Sequence, residues 1–507
     1  MASVTALPSG ARTEHRGLAH WMDRVLKELA MLRTSPDADS VHDLRVAIRR
    51  CRSIASVMEE VDPHPAWHET RKVARKLFRG LGALRDAQVM EDWTKHLGPE
   101  NDPVRAELLA RFQSKQQELR DEALNVAERF DEKAWKRLGR TLRQRVRLVP
   151  PGSLVAECVA LERYHEAREL HGDALRTGKP KPWHALRIGL KRFRYTVENL
   201  LPEHHAAWSE KLKRVQDILG EVHDLDVLTG VVKGATSSAA QSREAWLETI
   251  QSERQARMEK YRQLTLGKTS LWNEWRHALP HGDRLETASL ARLRATARAA
   301  DAHPRRSSQI AHIAVALFRR LGRIKAGPSF FDPKMLRVFC AAAQLHGVSA
   351  AGTSKSRRKA ARRFLLGLTI PPGWSAEEWD LLAWTVRYHR GAEPRSKRGA
   401  FAKLSEIQQR NIRILAGTLR LARALRKCGI SSPVGLRAEK SVDAIIVRVP
   451  GLTDSAESAA RLAAGKHLLE SCLPSPLLLL PAGTQEKVVA IPAPDPQVPL
   501  FSTAASY

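Results

Sequence analysis

From about Leu18 to Leu279, apolar residues recur at spacings of three and four, the period of a helix with one buried face. Helix-breaking clusters punctuate the pattern at Thr34-Ser35-Pro36-Asp37, Val149-Pro150-Pro151-Gly152 and Gly178-Lys179-Pro180-Lys181-Pro182. Strand-like alternation of useful length is missing, so this part reads as long antiparallel helices. A second helical stretch runs from about Leu285 to Cys428. VGLRAEKSVDAIIVRVPG then holds two short β-branched runs, and SAESAARLAAGKHLLESCL reads as a helix, which together predict a small α/β cap over residues 431–472. The Pro- and Ala-rich residues 473–507 read as an extended or disordered tail.

The first helical region repeats itself. VHDLRVAIRRCRS (Val41–Ser53) aligns without gaps on WHALRIGLKRFRY (Trp183–Tyr195), pairing His42 with His184, Arg45 with Arg187, Arg49 with Lys191 and Arg52 with Arg194. Downstream, LGALRDAQV (Leu81–Val89) aligns on LGEVHDLDV (Leu219–Val227) at nearly the same offset. Two motifs in one order imply a duplicated helical half, the copies packing as pseudo-symmetric partners.

On a helix, His42, Arg45, Arg49 and Arg52 form one stripe, with Val41, Leu44, Ile48, Cys51 and Ala55 behind it and Ser40 or Asp39 as the expected N-cap. His184, Arg187, Lys191 and Arg194 repeat the stripe over Leu186, Leu190 and Phe193. Arg71, Lys72, Arg75, Lys76 and Arg79 add cations ahead of the second motif in copy one; Lys211, Lys213 and Arg214 do so in copy two. A solvated face is the ordinary reading of one charged helix. Such faces normally interleave acids with bases, yet Arg45 to Arg52 holds no acid, and the same one-sign stripe recurs in both halves. Like charges gathered this way call for an anion.

Composition narrows the anion. Lys and Arg number 84 against 55 Asp and Glu, a formal net charge of +29, a field that attracts polyanions. Nucleic-acid readers stack bases on aromatic rings or read their edges with amides, but aromatic residues are only 6% of the chain. A comb of guanidinium and ammonium groups instead matches phosphoryl oxygens. A histidine in that comb is more readily protonated when phosphate is bound. Cys51, Cys158, Cys340, Cys428 and Cys472 are scattered without CxxC spacing, which argues against a disulfide framework or a zinc site and suits a reducing cytosol. The start, MASVTALPSGARTEHRGLAHW, lacks an apolar core of signal-peptide length, and no apolar run is long enough to span a bilayer.

The doubled H-x-L-R-V/I-x-L/I-R/K-R-x-R pattern, followed each time by L-G-x-x-R/H-D-x-x-V, closely resembles the CHAD family (conserved histidine α-helical domain). The resemblance covers about residues 11–282, in halves of about 11–150 and 151–282. It implies a pseudo-symmetric helical bundle whose basic groove binds inorganic polyphosphate. Carried over by position, the groove residues are His42, Arg45, Arg49, Arg50, Arg52, His184, Arg187, Lys191, Arg192 and Arg194; the flanking Arg75, Lys76, Lys213 and Arg214 complete the expected binding set. Copy two departs from copy one in placing His223 where Arg85 stands. Asp86 and Asp224 are expected to orient basic residues rather than touch the anion.

HIAVALFRRL (His312–Leu321), CAAAQLHGVS (Cys340–Ser349), WTVRYHRGAEP (Trp384–Pro394) and LAGTLRLARALRK (Leu415–Lys427) resemble the HD-like C-terminal part of the exopolyphosphatase/guanosine pentaphosphate phosphatase family, here over about residues 285–430 with the cap behind it. The departures bear on chemistry. A metal-dependent HD hydrolase needs a His-Asp doublet, but the chain has His346-Gly347, and Arg423 and Arg426 stand where the family has acids. Guanidiniums repel a divalent cation. His312, His346 and His389 therefore read as packing or capping residues. Two basic clusters are left over: Lys355, Arg357, Arg358, Lys359, Arg362 and Arg363, then Arg387, His389, Arg390, Arg395, Lys397 and Arg398. Each is a solvated loop or a second phosphate-binding surface.

The sequence thus predicts a mainly α protein: a duplicated helical bundle, then an HD-like helical domain with a small α/β cap. The expected function is non-catalytic binding of inorganic polyphosphate, in a granule-associated or regulatory role in phosphate metabolism. RNA binding and metal-dependent hydrolysis of polyphosphate or a guanosine alarmone are the alternatives. No catalytic residue, metal or cofactor is expected. Other polyanions are compatible partners, membrane insertion is not, and the expected location is the cytoplasm, free or on polyphosphate granules.

Overall fold

The computed structural model describes residues 17–35, 38–235, 240–348, 361–395 and 399–482. As the periodicity predicts, the fold is mainly α with one small sheet. The chain divides into two compact units, residues 1–308 with 338–387, and residues 309–337 with 388–507. Lys355, Arg357, Arg358, Lys359, Lys397 and Arg398 lie outside the described residues, as does the tail beyond 482.

In the first unit, α1 (Leu18–Thr34), α2 (Ala38–Val61), α3 (Pro65–Gly80) and α4 (Gly82–Leu97) open the first half, followed by α5 (Pro103–Glu128) and α6 (Glu132–Arg145). The second half holds α7 (Leu154–Thr177), α8 (Pro180–Leu200), α9 (Pro202–Lys233), α10 (Ala240–Thr265) and α11 (Leu271–Ala278), after which α12 (Gly282–Ala300) packs back on α7. Sequence signals set several ends. Ser153, Asp102 and Asp131 cap α7, α5 and α6 by accepting from backbone N–H groups, and Gly178 closes α7 in the left-handed region at φ 64°. Helix α2 begins earlier than its expected cap: Ala38 is already helical, and the Ser40 hydroxyl donates to the Ser35 carbonyl at 2.9 Å.

The duplicated motifs fall on equivalent helices, α2 with α8 and α4 with the C-terminal part of α9. One difference breaks the symmetry. Leu81-Gly82 lies at a break between α3 and α4, whereas Leu219-Gly220 lies inside the unbroken α9. At the break, a Cβ on Gly80 would come within 2.6 Å of the Val126 side chain, so α3 approaches α5 closely only because glycine stands there. One apolar core runs through both halves, from Leu29, Leu44, Ile48 and Trp67 to Leu186, Leu190, Phe193 and Trp272. Burial of these side chains contributes about 1.5–3 kcal/mol each and fixes which helix faces remain for charge.

In the second unit, the helix Glu406–Lys427 packs on Ala456–Glu470 through glycines. A Cβ on Gly417 would lie 2.7 Å from the Leu469 nitrogen, and one on Gly465 would lie 2.5 Å from the Ala424 Cβ. Beside them lie the strands β1 (Arg437–Lys440), β2 (Ile445–Val449) and β3 (Leu477–Pro481), with β1–β2 antiparallel and β2–β3 parallel. The β-branched run IIVRV is β2, whereas β1 is RAEK, a strand with no β-branched residue that pairs along β2. The third strand comes from the Leu477–Leu480 run, within the residues read from sequence as tail; it pairs in parallel along β2 and buries Leu477.

Candidate functional site

The core-facing residues of α2 and α8 leave Arg45, Arg49 and Arg52, and Arg187, Lys191 and Arg194, half-buried on matching faces. Two aromatic rings hold the guanidiniums. Phe78 of α3 receives Arg45 at 4.3 Å and Arg52 at 4.9 Å, and the Arg45 guanidinium also donates to the Phe78 carbonyl at 3.3 Å. Tyr195 of α8 receives Arg49 from the other half at 5.5 Å and its own neighbour Arg194 at 5.9 Å. Cation–π contacts of this kind contribute about 0.5–1 kcal/mol each, which offsets part of the repulsion between the cations.

Hydrogen bonding is incomplete. The Nε atoms of Arg49, Arg187 and Arg194 are buried and have no hydrogen-bond partner among the described residues. None of the six stripe cations is ion-paired with a carboxylate within 4 Å among the described residues. A buried donor without an acceptor costs about 1–3 kcal/mol, and these three lie around Lys191 and Tyr195.

The charges feel one another across the halves. Burial, then the Arg187 and Arg49 guanidiniums, push the Lys191 ammonium down to about 7. Burial followed by Arg75, Arg71 and Arg79 brings the Arg52 guanidinium down to about 10. Arg45 and Arg187 are lowered mainly by burial, opposed by Asp86 at Arg45 and by Asp224, Tyr195 and Asp86 at Arg187. The Asp224 carboxyl is itself raised by burial, against the pull of Arg187 and Lys191. The two aspartates of the second motif therefore stand behind the cations as partial counter-charges.

Histidines close the second half. His184 and His223 face each other with Nδ1 atoms 3.1 Å apart and ring centroids 4.5 Å apart. Burial, aided by Arg187, His184 and Lys191, takes the His223 imidazole down to about 4, and burial with Arg187 lowers His184 too. His42 is exposed at the N-terminal end of its stripe.

Not every expected site residue joins this cluster. Arg50 and Arg192 lie about 140° around their helices from Arg45 and Arg187. Arg50 pairs with Glu198 and lies 5.1 Å from the Trp21 ring; Arg192 pairs with Glu166 at 2.5 Å. Arg75 lies close enough to Arg52 to repel it, and Lys76 is exposed on the same helix. Lys213 and Arg214 line a mixed-charge hollow between α9 and α10 with Asp217, Glu221 and Arg257, and Lys213 pairs with Asp217 at 3.5 Å. Phe78 and Tyr195, which organise the cations, had no place in the sequence-derived set. Tyr195 could have been noticed beside Arg194 in the repeated motif, but nothing local marks Phe78.

Elsewhere, His346 and His389 are buried and His312 is exposed; the His346 Nδ1 bonds the Ala343 carbonyl at 2.8 Å. Arg426 donates to the Gln309 side chain at 2.6 Å, and Arg362 pairs with Asp380 at 2.7 Å while lying 4.0 Å from the Trp384 ring. Among the described residues, no three His, Cys, Asp or Glu side chains gather as a metal site, and no helix is long and apolar enough to cross a membrane.

Residues 16–233 match the family model described as CHAD domain. The match takes in α2, α8, α9 and every stripe cation. Among solved structures, the crystal structure of the CHAD domain from the plant Ricinus communis is similar, at 21% identity over 52% of this chain and 90% of that chain, with a TM-score of 0.37. No curated protein matches the chain.

Proposed function

We propose that the protein binds inorganic polyphosphate, without turning it over, through the groove formed by α2 and α8. The observation that carries this reading is the set of three buried guanidinium Nε atoms, on Arg49, Arg187 and Arg194, that have no acceptor among the described residues and come from both halves. A linear polyanion supplies acceptors at regular intervals, neutralises all six stripe cations at once, and needs no base-reading group. The family match over residues 16–233 supports the same reading. A place in the cytoplasm, free or on polyphosphate granules, belongs to this proposal. So does the view of the HD-like C-terminal region as a non-hydrolytic partner, its acids replaced by Arg423 and Arg426.

Calorimetric titration with polyphosphate of defined length, with an RNA competitor, tests it. Polyphosphate should displace RNA at a far lower phosphate concentration than the reverse. RNA winning that competition would assign the groove to nucleic acid instead.

A further inference from the structure

The two halves of the groove are built from different cations. Where the first half has Arg49 and Arg85, the second has Lys191 and His223 at the aligned positions. Both changes replace a guanidinium, charged at every physiological pH, by a group that can release its proton. Both replacements fall in one cluster with His184: Lys191 lies near enough to lower His223, and His223 meets His184 at 3.1 Å.

We propose that the second half of the groove is proton-gated: a bound phosphate polymer is held by His184, His223 and Lys191 in their protonated forms, so that binding takes up protons and loosens as pH rises. This rests on the polyphosphate reading of the same groove. Two imidazole Nδ1 atoms at 3.1 Å share a single hydrogen, one donating and one accepting. Protonating both rings would set two Nδ1–H groups against each other, unless a phosphoryl oxygen gives one ring a new acceptor. The surroundings oppose protonation in the free protein. Arg187 and Lys191 face both rings from α8; Asp226 on α9 faces His184, but Arg254 of α10 already holds that carboxylate at 2.7 Å. Lys191 meets Arg187 and Arg194 on its own helix and Arg49 from α2, with Asp224 of α9 as its nearby counter-charge. Asp86 of α4 acts on Arg187. Phosphate reverses the balance, because an anion beside each group favours its charged form.

The sign follows from linkage. Groups that bind protons more tightly in the complex make affinity fall as pH rises, from the free-state value upward. For Lys191 that window opens at about 7; for His223 it opens at about 4 and extends toward neutrality. Each proton taken up changes affinity by about tenfold per pH unit inside the window. The first half, whose inner cations are Arg45, Arg49, Arg52 and Arg85, contributes a constant floor.

The test is titration calorimetry of the full chain with long-chain polyphosphate, whose interior phosphates stay ionised, in buffers of different ionisation enthalpy. At about pH 7.5 the wild type should take up about one proton or more per site, and its affinity should fall at least about tenfold from pH 6.5 to 8.5. The double variant Lys191→Arg/His223→Arg, which copies the first half, should take up less than half as many protons and bind more tightly at pH 8.5. Tight binding by the wild type without proton uptake would overturn the gate and leave the polyphosphate reading standing. No binding even at pH 6.5 would overturn both. The wild-type measurement decides even if the double variant does not fold.

Discussion

The Arg49 guanidinium of the first half lies 5.5 Å from the ring centre of Tyr195 in the second. That contact places the two duplicated stripes at one site, because Tyr195 also receives Arg194 and Arg49 also depresses Lys191. A polyanion in this groove would meet both halves at once, and the consequences can be measured.

Salt dependence is the broadest of them. With six stripe cations neutralised, log K should fall linearly with log salt, losing about 10²–10³-fold between about 50 and 200 mM, by analogy with single-stranded nucleic acid. Fluorescence titration across that range checks it. An affinity indifferent to salt would rule out phosphate neutralisation as the source of binding.

Residues on the two faces of α2 should separate cleanly. Arg49→Gln removes a cation that has no ion-pair partner among the described residues, so it should weaken polyphosphate binding about tenfold or more while leaving thermal stability unchanged or slightly raised. Arg50→Ala should do the opposite. It breaks the half-buried pair with Glu198 that ties α2 to α8, at a cost of about 1.5–3 kcal/mol. Binding by the folded fraction should stay near that of the wild type. Equal effects on binding from both variants would mean that the groove has been placed on the wrong face.

This contrast also shows how far the sequence could be read. The repeat located both stripes, because a duplicated spacing survives in one dimension. Arg50 and Arg192 entered the expected set through motif position, although their angle around the helix already set them apart from Arg45 and Arg187. The pairings of Phe78 with Arg45 and of Tyr195 with Arg49 join residues 33 and 146 positions apart, and no local pattern encodes such distances. The break at Leu81-Gly82 was equally hidden. The same two letters are helical in α9, and the packing of Gly80 against Val126 distinguishes them.

The free protein should become more stable as the solution turns mildly alkaline. Lys191 has an ordinary value of 10.5 and stands at about 7 in the fold, so between those limits the unfolded chain binds more protons than the folded one. Stability therefore rises with pH through that window. Melting temperature should climb from pH 7 toward pH 9 in the absence of ligand, and Lys191→Met should flatten that climb while raising the value at pH 7. Saturating polyphosphate should cancel the trend, since it restores the ammonium. A melting curve that falls steadily over this range in the free wild type, and equally in Lys191→Met, would show that Lys191 carries its proton in the fold.

Giving the chain the His-Asp doublet that an HD hydrolase needs should not make it a hydrolase. Gly347 follows His346, and Gly347→Asp would place such a pair in the sequence. In the fold there is no room for it: a Cβ at 347 would lie 2.2 Å from both Asp301 Oδ2 and Ser307 Oγ. Asp301 is not idle there, since its other oxygen accepts from the His303 nitrogen at 2.8 Å and its backbone bridges to Val348. Inserting a carboxylate should displace Asp301, set two like charges together, and cost about 1–3 kcal/mol through overpacking. The ring of His346 is buried, with Nδ1 bonded to the Ala343 carbonyl. A hydrolytic site would need that ring and several acids around one divalent ion, which then activates water. Arg426, near the position of one expected acid, is instead bonded to Gln309. The chain crosses between the two compact units at 308, 337 and 387, so the full-length protein is the proper material for the assay. Both wild type and Gly347→Asp should release no phosphate from polyphosphate above background with Mg²⁺ or Mn²⁺, and the variant should melt lower. Metal-dependent turnover in the wild type, lost on His346→Ala, would show that the region around His346 is an enzyme site after all.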